Sequence, residues 1–285
     1  MRPMLPYNRL SAVIALIAIG LCASFTLNWP ALDVNLMGLA FELSGRALLG
    51  FVLVGLVWAG VDVALRHRPQ VDSGSQGASP TGWILPTTWI VAAWFLLPSS
   101  GRVAVQVVGV AVVCALLVLT TAAEYSVACA KTRWRAGVQF TLRLATYLAA
   151  ILLYTAIQLG VNPRGVAALA VAVVSAVLAW RLCAGDDRIA PHLRTLQMKE
   201  LASLGGTAFA HWVLFAALGV LAAASCWLLG LWAKPPLLFG LVLVVLLYLG
   251  VGLLKQFLLQ TLTQRVVVEY LVVGVAVLML LFFVR

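Results

Sequence analysis

Residues 166–200 read VAALAVAVVSAVLAWRLCAGDDRIAPHLRTLQMKE, an apolar run that passes directly into a polar one. The apolar part predicts a helix over Val166–Leu182. Residues 181–200 then hold seven of the chain's 28 charged residues, 19 of which are basic and 9 acidic. A second long apolar run follows this polar stretch. A polar loop between two apolar helices is typical of a protein that crosses a membrane repeatedly.

The rest of the chain repeats this pattern. Of its 285 residues 64% are hydrophobic and only 10% are charged, whereas about a quarter are charged in soluble domains. The apolar runs are close to the ~20 residues that cross a bilayer as a helix. They are continuous rather than alternating, which excludes an outer-membrane barrel. The sequence therefore predicts an all-α fold, a polytopic transmembrane bundle in which residues 1–285 form a single integral membrane domain.

Turn formers and charges divide this bundle into about nine spans. Helix 1 is expected to be a retained helix and not a cleaved signal peptide, because its apolar run continues past Ser24. The loops are 29–45, a flexible cytoplasmic loop at 66–82, and a polar cytoplasmic loop at 183–207 with an interfacial amphipathic helix near Ile189–Leu204. The predicted spans are Leu10–Asn28, Arg46–Leu65, Trp83–Leu97, Val103–Ala128, Val138–Leu159, Val166–Leu182, Ala208–Trp232, Leu237–Phe257 and Val266–Val284.

The basic residues predict the orientation of these spans. Nine spans place 14 of the 19 lysines and arginines on the side of the N-terminus. Cytoplasmic loops carry such an excess, so the N-terminus is expected inside and the C-terminus outside. The net charge of +10 is scattered over the ends of apolar runs and does not indicate nucleic-acid binding. The charge bias suits a bacterial cytoplasmic (inner) membrane.

The loop after helix 6 holds the residue types of a phosphate site. Carboxylates could bind Mg²⁺, which bridges to phosphate, and arginines would neutralise the remaining charge. The alternative is a solvated connector in which an aspartate caps the interfacial helix, and this alternative is favoured. The residues concerned are Asp186, Asp187, Arg188, His192 and Arg194.

Two basic residues inside predicted helices, Arg143 and Lys255, are the best candidates for a site at the cytoplasmic mouth of the bundle. Arg143 could instead pair with Glu124. Near the helix ends, Asp62 is expected to pair with Arg66, and Glu269 with Arg265. Gly55 and Ala59, four residues apart, predict a close contact between helix 2 and another helix.

The favoured function is a non-enzymatic structural, assembly or accessory subunit that packs with other membrane proteins in the lipid bilayer. The first alternative is an enzyme or flippase-like protein that handles a lipid-linked phosphorylated substrate at the cytoplasmic leaflet, with Mg²⁺. The second is a small-solute transporter. No cofactor and no metal site are predicted outside the enzyme alternative, because His211 has no second histidine at its depth with which to bind haem.

Overall fold

The computed structural model describes residues 7–27, 31–36, 39–66, 81–99, 101–129, 135–161, 164–186, 189, 209–230 and 235–283. Within these ranges nine helices lie at the nine positions predicted from the sequence. The helices are α1 (Tyr7–Thr26), α2 (Gly45–Arg66), α3 (Ile84–Ser99), α4 (Val103–Cys129), α5 (Arg135–Gly160), α6 (Arg164–Ala184), α7 (Phe209–Leu229), α8 (Pro236–Leu258) and α9 (Gln264–Phe283).

Six of the helices are long and apolar enough to cross a membrane, which is consistent with an integral membrane protein. They comprise Gly45–Ala64, Val103–Val127, Ala136–Gly160, Arg164–Ala184, Trp212–Leu229 and Pro236–Leu258. The apolar parts of α1 and α3, Leu10–Thr26 and Ile84–Pro98, are shorter. By its contacts the chain divides into two compact units, residues 1–145 and residues 146–285.

A β-hairpin precedes α2 where the sequence predicted a loop at 29–45. Strands β1 (Ala31–Leu36) and β2 (Leu39–Ser44) pair antiparallel. Their register sets Leu32 opposite Leu43, and Val34 opposite Phe41. Apolar residues thus alternate with polar ones in both strands, which is the strand period of two. The loop prediction was wrong because it gave the charges and Pro30 more weight than this alternation.

The first unit is built around α3, which packs against α1, α2 and α4. Ile84, Leu85, Trp89 and Ile90 are each at most 2% exposed. With 16 residues, α3 is roughly 24 Å long at 1.5 Å per residue. It is shorter than the ~30 Å hydrocarbon core. A short helix that is apolar on every side is expected to be buried among other helices, as α3 is here.

An arginine on α2 allows α3 to continue through a proline. The sequence predicted that helix 3 would end at Leu97, yet α3 extends through Pro98 to Ser99. Proline has no N–H, so the carbonyl of Trp94 loses its usual helical hydrogen bond. Arg46 donates from Nη2 to that carbonyl at 3.0 Å. Its Cζ also lies 5.4 Å from the centroid of the Trp94 ring. A neighbouring helix thus supplies the donor that Pro98 lacks.

This arrangement predicts a coupling between Arg46 and Pro98. Alanine at position 98 returns an N–H to the Trp94 carbonyl. We expect Arg46→Leu to lower the free energy of unfolding by about 1–2 kcal/mol in the wild-type chain, and by clearly less in the Pro98→Ala background. The measurement is detergent-denaturant titration in mixed micelles of the wild type, both single variants and the double variant. If Arg46→Leu lowers the free energy of unfolding equally in both backgrounds, Arg46 does not compensate for the N–H that Pro98 lacks.

In the second unit, glycines bring helix backbones together. A Cβ added at Gly219 of α7 would lie 2.5 Å from the carbonyl oxygen of Ala172 on α6, and one at Gly240 of α8 would lie 2.7 Å from the carbonyl oxygen of Ile151 on α5. Such contacts need residues without a side chain. The predicted contact at Gly55 is not found among the described residues, because a Cβ there meets nothing within 4 Å and Ala59 is exposed.

Hydroxyl groups in the apolar helices are satisfied locally. In α5, Thr155 donates to the carbonyl of Ile151 at 2.8 Å, and Thr120 and Ser225 make the same bond four residues back in α4 and α7. Between helices, the hydroxyls of Tyr154 on α5 and Ser175 on α6 lie 2.7 Å apart, both fully buried. Because of these bonds, the hydroxyl groups do not face lipid without a hydrogen-bond partner.

Candidate functional site

The candidate site forms where α6 ends. Arg181 lies in the last turn of α6, and the Gly185 amide still donates to its carbonyl at 2.9 Å. The chain then turns, because the Asp186 amide donates to the carbonyl of Cys183 and the Ile189 amide donates to the carbonyl of Asp186. Ile189 is 1% exposed. The buried Ile189 and these backbone bonds fix the position of the Asp186 carboxylate.

That carboxylate pairs with α8. Lys255 Nζ lies 3.0 Å from Asp186 Oδ2, and the two side chains are 19% and 15% exposed. Lys255 is in the last turn of α8, where a cation also opposes the negative end of the helix dipole. The ion pair therefore links two elements that lie 69 residues apart in the sequence. It is shielded from water far more than a surface salt bridge is.

Arg181, in the last turn of α6, is a buried cation. It is 6% exposed, and its Nε donates to Thr146 Oγ1 of α5 at 3.3 Å. Thr146 is itself 1% exposed. Sequence reasoning counted Arg181 among the charges of residues 181–200 and among the cytoplasmic basic residues, but did not name it as a site residue. Its burial could have been suspected because it precedes the first polar residue of the loop by about one helical turn, so its side chain can lie against a neighbouring helix.

The structure brings together two of the residues predicted for the site, Asp186 and Lys255. Arg143 is half-buried on the part of α5 that belongs to the first compact unit. The other predicted site residues, Asp187, Arg188, His192 and Arg194, lie outside the described residues, as does the predicted interfacial helix beyond Ile189. In the part of the chain that is described, no group of three or more His, Cys, Asp or Glu side chains could hold a metal ion.

Outside this site, the predicted pairing of Glu269 with Arg265 is confirmed. Arg265 Nε donates to Glu269 Oε1 at 3.3 Å, and the side chains are 88% and 63% exposed. The spacing of four residues on α9 suffices to bring them together. Because both are open to solvent or headgroups, this pair contributes little to stability.

The family model DUF5656 (protein of unknown function) matches residues 27–196 and residues 193–284. The chain belongs to the DUF5656 family. The two matches of the DUF5656 model meet in the segment after α6, so Asp186 falls in the first match and Lys255 in the second. No curated protein and no solved structure shows significant similarity to this DUF5656 member.

The chemistry available to this DUF5656 member at the site follows from its charges. A carboxylate that is bound to a lysine has its charge compensated, so it attracts Mg²⁺ less than a free carboxylate does. The lysine likewise has less positive charge to offer a phosphate. As described, the pair ties the segment after α6 to the end of α8.

Proposed function

We propose that this protein is a non-enzymatic structural, assembly or accessory subunit that packs with other membrane proteins. The observation that carries the proposal is the ion pair between Asp186 and Lys255. Asp186 and Lys255, two of the three predicted site residues that lie among the described residues, engage each other at 3.0 Å, as charges do when they hold parts of a fold together. A site for an outside ligand would instead need charges open to that ligand.

The surface of α9 supports the same proposal. This helix packs against α8, where Gly252 adjoins the ring of Tyr270 and Gly274 adjoins Leu249. Leu271, Val272 and Met279 on α9 are 62%, 58% and 59% exposed. A helix with so much exposed apolar surface suits contact with lipid or with the helices of a neighbouring subunit.

The proposal is tested by purifying the tagged full-length protein in a mild detergent and identifying by mass spectrometry the proteins and lipids that accompany it. We expect one or more membrane proteins in stoichiometric amount. A protein that purifies alone and carries a phosphorylated lipid would contradict the subunit role.

The proposal includes the orientation inferred from the basic residues, with the N-terminus in the bacterial cytoplasm and the C-terminus outside. Fusing a reporter that is active on only one side of the membrane to the C-terminus tests it. If a reporter that works only in the cytoplasm is active at the C-terminus, the C-terminus lies inside, and the proposed orientation with an odd number of spans is wrong.

A second candidate function is catalysis or flipping of a lipid-linked phosphorylated substrate at the cytoplasmic leaflet. One observation favours it: Asp186 and Lys255 converge from distant parts of the chain, and the buried Arg181 lies in the turn just before Asp186. Under this candidate, Asp187→Asn removes activity while the protein stays folded. Under the subunit proposal, the same variant keeps its partners.

A further inference from the structure

Arg46, in the first turn of α2, is a cation held in one orientation. It is half-buried. Its Nη2 bonds to the carbonyl of Trp94 at 3.0 Å, and its Cζ lies over the Trp94 ring at 5.4 Å. Gly50, one turn further along α2, allows that ring to approach, since an added Cβ would be 3.1 Å from it. Two contacts with one residue fix the plane of the guanidinium.

Among the side chains that the structure describes, no carboxylate pairs with Arg46. The Nε atom is covered and makes no hydrogen bond, which leaves the terminal N–H groups. A guanidinium has five N–H donors, and the carbonyl of Trp94 takes one of them. Arg46 can therefore offer several donors and a full charge to an anion.

The position of Arg46 indicates which anion it meets. The stretch of α2 that is long and apolar enough to cross a membrane begins at Gly45, and a helix that spans from there would hold Arg46 at the level of the lipid headgroups. Trp94 is an aromatic residue of the kind enriched at that depth. The planar fork of arginine matches the oxygens of phosphate. Because the fork is already oriented, less conformational freedom is lost on binding.

We propose that Arg46, oriented by Trp94, binds the phosphate of a phospholipid headgroup at the end of α2 in the first compact unit. This site lies outside the cluster of Asp186 and Lys255, and it does not depend on the subunit role. In this proposal the N–H groups of Arg46 have two roles. One donates to the Trp94 carbonyl that Pro98 leaves without a donor, and the others bind the lipid phosphate.

The first test uses the unmodified full-length protein in dodecyl maltoside. Binding is measured by native mass spectrometry for dioctanoyl phosphatidylglycerol and for dioctanoylglycerol, which lacks the phosphate. We expect the phospholipid to bind roughly ten- to a hundredfold more tightly. Equal binding of the two lipids would overturn the proposal without the need for any variant. Competition by millimolar inorganic phosphate that displaces the phospholipid fully would assign the site to free phosphate instead.

The second test assigns the preference to one residue. Arg46→Gln is expected to abolish the preference for the phosphorylated lipid. The matched control is Arg102→Gln, because Arg102 lies in the same unit just before α4 and is exposed, whereas Arg46 is half-buried. Should Arg46→Gln not fold, Arg46→Lys keeps the charge but loses the fork, and we expect an intermediate preference. A wild-type preference in a folded Arg46 variant would overturn the proposal.

Discussion

Replacing Lys255 with methionine is expected to lower the free energy of unfolding by about 2–3 kcal/mol. The variant takes the Lys255 ammonium away from the Asp186 carboxylate, which is only 15% exposed. A largely buried charge that loses its partner keeps the cost of desolvation and gains nothing in return. Asp186→Asn is expected to cost a similar amount, because it leaves the Lys255 ammonium in the same position.

The double variant distinguishes a structural pair from two independent contributions. Asp186→Asn combined with Lys255→Met removes both charges. We expect it to be more stable than either single variant, with a coupling free energy of about 2 kcal/mol. The four proteins are compared by denaturant titration in mixed micelles. Additive losses would show that the pair does not stabilise the fold.

The pair on α9 provides the control. Arg265 and Glu269 have the same charges and a similar distance, 3.3 Å, but their side chains are 88% and 63% exposed. Arg265→Gln should therefore change stability very little. The comparison separates the effect of burial from the effect of removing a basic side chain.

Replacing Gly219 with leucine is expected to lower the stability of the second unit strongly. The space beside Gly219 is filled by the carbonyl of Ala172 at 2.5 Å and by the Cβ of Ala176 at 3.4 Å from the added atom. Backbone atoms cannot rotate away as a side chain can, so α6 and α7 must separate. Overpacking of this kind costs about 1–3 kcal/mol for small additions, and we expect alanine to fall within that range and leucine above it.

Gly55 on α2 is the matched control for Gly219. Both glycines lie inside apolar helices, but a Cβ at Gly55 meets nothing within 4 Å. Gly55→Ala is expected to leave stability unchanged or to raise it by up to about 1 kcal/mol, since alanine is the better helix former. Thermal unfolding in detergent measures all of these variants. A Gly219→Leu variant as stable as Gly55→Leu would contradict the close packing of α6 and α7.

The positions of the helices could be predicted because the signals are local. Helix 4 was expected at Val103–Ala128 and is found at Val103–Cys129. Apolar length and polar breakers are enough to place such a segment. Pro98 misled the same reasoning, because the donor that lets α3 continue comes from Arg46, far away in the sequence.

The rotation of each helix could not be predicted. A helix that is apolar on every side carries no stripe that tells which face is inside. The spacing of Gly55 and Ala59 therefore looked like a contact, although both residues face away from the first unit, whereas Gly219 and Gly240 make the close contacts. The sequence likewise indicated Asp186 and Lys255 as separate site candidates, and it could not predict that the fold brings them into an ion pair.

The measurement that tests the central claim most directly is the capture of partners by the double variant. The tagged Asp186→Asn, Lys255→Met protein and the wild type are purified side by side in mild detergent, after both are shown to be folded. If the ion pair serves the fold of a structural subunit, the two proteins carry the same membrane proteins in the same ratio. The account would be contradicted if the wild type purified without partner proteins but with a phosphorylated lipid, and the folded double variant lacked that lipid.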